Sequence, residues 1–214
     1  MTKVIPAKTH AKFPSPNEIG EALRAAFLSV LCDLPNSHAA RSQKWVETLA
    51  DQLSQINPWD SAHLLHKIWN RPKRALDHGE FVTDIAIVEK VSTTGIQTRS
   101  GNKRKIKHQP EYVKLMLLAV ESEFEPNSQH QLDDLSKLVI VNTPARIFVA
   151  SRAGNGVQPK LESAQLGLFA EVIRDVQGEL FILALMPHPR DWRMDMKVHE
   201  IKSLFYNKGN WIPC

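Results

Sequence analysis

The chain holds little cysteine and no long apolar run. Cys32 and Cys214 are the only two cysteines among 214 residues, which fits neither a disulfide framework nor a zinc site. No window approaches the ~18 consecutive apolar residues that a membrane-spanning helix needs, so no membrane partner is expected. The opening stretch, "MTKVIPAKTHAKFPSP", has lysines but lacks the apolar core of a secretory signal. Internal repeats and low-complexity tracts are missing too. Together these absences lead us to expect a protein of a reducing cytoplasm.

What is present fits one folded unit. Hydrophobic residues make up 43% of the chain and five Trp are available, enough for a sizeable core. A net charge of +4 favours polyanionic partners over acidic ones. Residues 1–16, with three prolines, read as a flexible arm. Residues 17–214 read as a single α/β domain, with a helical part at 17–76, a core at 78–190 and a tail at 191–214.

Three helices are expected first. "NEIGEALRAAFLSVL" repeats Ile19, Leu23, Phe27 and Val30 at helical spacing, with Asn17 as N-cap. "SQKWVETLADQLSQI" repeats Trp45, Leu49, Leu53 and Ile56 and is ended by Asn57-Pro58. "DSAHLLHKIWN", capped by Asp60, is the third, and would carry His63 and His66 one turn apart.

From residue 80 the texture changes. "EFVTDIAIVEKV" is β-branched and reads as a strand. "VKLMLLAVESEFE" (113–125) is apolar on both pleat faces, as a central strand covered from both sides would be. "NSQHQLDDLSKLVIVN" reads as a helix, with Ser128 and Gln131 as a capping box and Leu132, Leu135 and Val139 as its buried stripe. Strand "RIFVAS", helix "KLESAQLGLFAEVIRDVQG" closed by Gly178, and strand "ELFILALMP" follow. This succession predicts a mixed central sheet flanked by helices, with N-terminal helical decoration. Of the five tryptophans, Trp59, Trp69, Trp192 and Trp211 could stack on bases but are by default core or interface residues.

The chemistry starts where 113–125 ends. Strand alternation puts Glu121 and Glu123 on one face with Leu117 and Ala119, their Cβ atoms about 7 Å apart. Two such carboxylates either repel when desolvated or share one divalent cation; hard oxygen ligands suit Mg²⁺, Mn²⁺ or Ca²⁺. The competing reading is a solvated strand end. Asp84 adds a third carboxylate, in a residue type that strands disfavour. It converges with the glutamates if its strand pairs beside theirs, and otherwise is only a strand-start residue after a turn. Among the nine scattered histidines none has a companion at metal spacing.

These pieces (Asp84, "LLAVESEFE", the helix with "DDLSKL" and the strand "RIFVAS") resemble the PD-(D/E)XK superfamily, the restriction-endonuclease-like fold, over about residues 80–150. The resemblance implies a nuclease that hydrolyses phosphodiester bonds with Mg²⁺ or Mn²⁺, with DNA as the expected partner. It implies Asp84 and Glu121 as metal ligands, and the Ser122 carbonyl oxygen as a third. Three departures accompany it. Glu123 takes the catalytic position where the motif has lysine, Thr83 replaces a proline, and Asp84 and Glu121 stand 37 positions apart, which makes 92–111 an insertion. Some members supply the lysine from the following helix, which makes Lys137 a candidate. Against that, Lys137 lies opposite the predicted apolar stripe, with Asp133 four residues earlier as an ordinary ion-pair partner.

Between Glu89 and Glu111 there is no acidic residue, while Arg99, Lys103, Arg104, Lys105 and Lys107 accumulate. Such a run serves phosphate contacts, or is merely a solvated hairpin tip. The rival functional classes are a non-catalytic nucleic-acid-binding or protein-interaction module, and a subunit active only within a complex. Nothing in the sequence fixes how many chains assemble, a homodimer included.

Overall fold

A computed structural model describes residues 13–56, 63–66, 83–92, 111–153, 159–176 and 180–214. Two helices begin it, α1 (Pro16–Cys32) and α2 (His38–Ser54). The cap of α1 is Ser15, not Asn17: its hydroxyl accepts the Glu18 N–H while the Glu18 carboxylate takes the Ser15 N–H, a reciprocal capping box. Ser37 caps α2, so this helix starts four residues ahead of the predicted Ser42. Of the 1–16 arm, residues 1–12 lie outside the described residues, as does Gly178.

The predicted third helix is a correction. Residues His63–His66 form a strand, β1, paired antiparallel with β2 (Ile85–Ser92). Its Leu64-Leu65 core was too short for periodicity to tell strand from helix. Next come β3 (Glu111–Glu123), α3 (Ser128–Ile140), β4 (Ala145–Ser151), α4 (Pro159–Ile173) and β5 (Leu180–Met186). The tail at 191–214, for which the sequence predicts no element, supplies β6 (Lys202–Asn207) and β7 (Asn210–Pro213), joined by Lys208 and Gly209 at φ 48° and 89°. Positive φ at both positions is what a two-residue type I′ hairpin requires.

Among the described residues seven strands form one mixed sheet, in chain order. β2 runs antiparallel to β3, whereas β3, β4 and β5 are mutually parallel. Parallel neighbours need crossovers, and α3 and α4 provide them, both packing on one face. There Leu135, Leu138, Phe169 and Ile173 cover Ala119, Phe148, Leu183 and their neighbours. On the other face α1 and α2 cover Ile87, Leu118, Val120, Ile147 and Ile182. The sheet is therefore sandwiched between helical layers, and β3 has core on both sides as its sequence predicts. A bulge opposite Ile87 and Val88 absorbs Leu117, which turns to the α1–α2 side and does not share a face with Ala119.

Two side chains fasten the carboxyl end of the sheet. The Trp192 ring is buried, packing edge-on to Phe27, Trp45 and Phe124 at 5.4, 6.2 and 5.9 Å, and its indole N–H donates to the Pro187 carbonyl. Arg41 of α2 donates to the carbonyls of Pro189, Arg190 and Trp192. The connection after β5 is thereby tied to the N-terminal helices. No helix among the described residues is long and apolar enough to cross a membrane.

Candidate functional site

The β2–β3 register pairs Ile85 with Val120. One step further along the antiparallel ladder, Asp84 stands opposite Glu121. Residues opposite in such a ladder point to the same face with Cα atoms about 4.5–5.5 Å apart. The two carboxylates are thus near enough for the charge of Asp84 to act on Glu121. Asp84 is fixed there by its Oδ2, which accepts the Ser122 N–H at 2.9 Å. Thr83 is buried and donates its hydroxyl to the Ile85 carbonyl.

The face they share is the one α3 covers. Glu121 is only 2% exposed, and the Lys137 ammonium stands 3.6 Å from its Oε1. Burial, and then the charge of Asp84, push the Glu121 carboxyl from 4.5 up to about 8, although Lys137 pulls it down. Burial alone would lower the Lys137 ammonium, but its bond to Asp134 and the fields of Glu121, Asp134 and Asp84 raise it on balance. Lys137 is therefore a firm cation at neutral pH. Glu123 lies on the same face; its Oε1 accepts the Glu125 N–H at 2.6 Å. Burial and the neighbouring Asp134 and Glu125 raise its carboxyl, although the Glu125 N–H opposes them.

The α3 details differ from the sequence reading. Asn127, not Ser128, is the cap, and the buried residues are Gln131, Leu135 and Leu138. The stripe is rotated from the predicted Leu132, Leu135 and Val139, and this swings Lys137 from the outer surface towards the carboxylates. Its ion-pair partner is Asp134 at 2.6 Å; Asp133 instead accepts from Gln129. Asp134 is the site residue that sequence reasoning missed. Its i, i+3 spacing to Lys137 was the available signal.

Behind the carboxylates lies a buried amide network. Gln131 donates to the Glu125 and Ser151 carbonyls, Gln165 donates to Gln131 and accepts the Ala153 N–H, and the Ser151 hydroxyl donates to the Phe124 carbonyl. It locks the loop after Glu123 to the end of β4. Ser122 contributes its N–H to the site; its hydroxyl is buried with no hydrogen-bond partner among the described residues.

The structure thus brings together Asp84, Glu121, Glu123 and Lys137, with Asp134. Among the described residues, no group of three or more His, Cys, Asp or Glu is arranged to hold a metal ion by itself. The basic run Arg99, Lys103, Arg104, Lys105 and Lys107 lies outside the described residues, as do Trp59 and Trp69. No family model and no curated protein matches this chain.

Proposed function

We propose that the protein is a divalent-metal-dependent nuclease of the cytoplasm, hydrolysing phosphodiester bonds in nucleic acid, DNA first among them. The observation that carries this reading is Asp84 facing Glu121 at the end of paired strands, on the face where Lys137 arrives from α3. It is the arrangement expected of a PD-(D/E)XK site whose lysine has moved to the following helix.

The donor set fits Mg²⁺ or Mn²⁺ in a specific way. Mg²⁺ commonly takes one or two carboxylates and completes its octahedron with water and phosphate oxygens, so a two-carboxylate site suits it where a closed cage would not. Asp84 and Glu121 are the residues that would hold it. When bound, such an ion supplies a water of lowered pKa and charge stabilisation at the phosphate. Glu121 keeps a proton near neutrality while nothing cationic replaces it. Lys137 then presents a fixed positive charge beside the pair, placed to neutralise a phosphate oxygen as the pentavalent state forms. Glu123, linked to Asp134, is positioned to take up or release a proton at its carboxylate.

Cleavage of a supercoiled plasmid with Mg²⁺ or Mn²⁺ tests the reading. The wild type should nick or linearise it, and Glu121→Gln should be slower by at least ~100-fold. Cleavage undiminished in Glu121→Gln, or none by the wild type in either metal, overturns it. The ion pairing of Lys137 with both Glu121 and Asp134 favours one alternative, a non-catalytic binding module in which these charges neutralise each other.

A further inference from the structure

A cavity of about 650 Å³ opens at the same end of the sheet, where β4 and β5 finish. Ser151 and Arg152 line it from β4, and His188, Arg190 and Arg193 from the connection after β5. Pro126, from the loop after Glu123, also reaches it. Glu123 pairs with Ala150 in the β3–β4 register, so Arg152 follows two residues beyond that partner. With strands ~5 Å apart and ~3.3 Å per residue, the backbones of Glu123 and Arg152 lie about 8 Å from one another, a span that neighbouring phosphates of one strand can bridge.

The charge of the cavity comes from its arginines. Burial, and then Arg190, hold the His188 imidazole below its ordinary value, so it adds no cation at neutral pH. Asp191 and Glu200 also line the cavity and offset part of the three guanidinium charges. Arg193 bonds Asp195 on the exposed surface at 3.3 Å, and such a pair exchanges easily. Arg152 is different. Its Nη2 donates to the Glu200 carbonyl at 2.6 Å, but its Nε is buried with no hydrogen-bond partner among the described residues. An unsatisfied buried donor is costly, and an anionic oxygen relieves it.

The wall is also rigid. Arg41 and Trp192 pin the Pro187–Trp192 backbone by four hydrogen bonds, so Arg190 projects from a fixed turn. A preorganised wall, an inner guanidinium with one unsatisfied N–H and exposed rim guanidiniums match a phosphate better than a neutral ligand.

We propose that this cavity seats a backbone phosphate of a nucleic-acid strand a few nucleotides from the one at Asp84 and Glu121, with Arg152 as inner donor and Arg190 and Arg193 at the rim. The identity of the polymer rests on the nuclease reading; the anion site does not. Fluorescence anisotropy with a fluorescein-labelled 20-base-pair duplex, in EDTA across a salt series, tests it. Arg152→Ala/Arg190→Ala should bind at least ~10-fold more weakly, with a log–log salt slope smaller by about 2. Arg190→Ala alone, on an exposed side chain that folding does not need, should weaken binding and reduce the slope by about 1. Unchanged affinity and slope in both variants overturns the proposal, as does tight binding of a mononucleotide by a protein that ignores the duplex. The two readings separate cleanly, since arginine-dependent binding without any cleavage would remove the nuclease while leaving this site.

Discussion

Replacing Glu121 by glutamine should make the protein more stable, and more so the higher the pH. The Glu121 carboxyl has a folded value of about 8 against 4.5 when freely hydrated, because burial and Asp84 disfavour its charge. Between those values the folded state holds a proton that the unfolded state has released. Stability therefore falls as pH rises from about 4.5, and this loss is complete once pH passes 8. At ~1.4 kcal/mol per unit, the full interval is worth about 5 kcal/mol, and relaxation with water entry brings it to ~2–5 kcal/mol. Glutamine is neutral at every pH and escapes the loss.

The stability gain of Glu121→Gln over wild type should thus be near zero around pH 5 and reach ~2–5 kcal/mol by pH 9, or roughly 5–15 °C in Tm for a chain of this size. Urea unfolding at pH 5, 7 and 9 reads it directly. Adding Mn²⁺ at pH 8 gives the second arm, since a cation that binds only the folded, ionised site stabilises by mass action. Wild type should gain Tm and Glu121→Gln should gain much less. A variant-minus-wild-type difference that stays flat from pH 5 to 9 refutes the raised carboxyl. Equal Mn²⁺ shifts in both proteins refute Glu121 as a ligand.

Lys137→Met should remove the cation that lowers Glu121, so that the pH-dependent stability loss continues beyond pH 8, and should slow cleavage by at least ~100-fold; urea titrations and the plasmid assay check the two effects. Trp192→Ala should cost ~3–5 kcal/mol in urea unfolding, because it empties the contact of three aromatic rings and frees the turn that walls the cavity.

Strong periodicity made most of the fold legible. Leu23, Phe27 and Val30, the Leu118–Val120 stretch of β3 and the apolar runs of β4 and β5 lie in the core where their spacing puts them. What failed was short or tertiary. Leu64-Leu65 fills one strand turn as easily as one helix turn, and only pairing with Ile87 and Ala86 decides it. The residues from 191 onward carry few apolar repeats, because Trp192 and Ile201 are buried one at a time between charged neighbours. Their strands exist because β5 offers an unpaired edge.

The carboxylates were legible for a different reason. Asp84 and Glu121 are conspicuous because each breaks an apolar strand, and strand pairing is the commonest way for two such interruptions to meet. Lys137 was not, and the cause is a rotation of α3. Read with Leu132 and Val139 inward, the helix turns Lys137 to solvent. Instead Gln131 takes an inward position, paid for by its bonds to the Glu125 and Ser151 carbonyls and to Gln165. Hydropathy cannot foresee a glutamine in a core, since its burial depends on partners supplied by β4 and α4, far along the chain. That same network, by setting the helix's rotation, aims Lys137 at Glu121. The polar residue that spoils the apolar stripe is thus a positioning residue for the site, acting through the helix it turns.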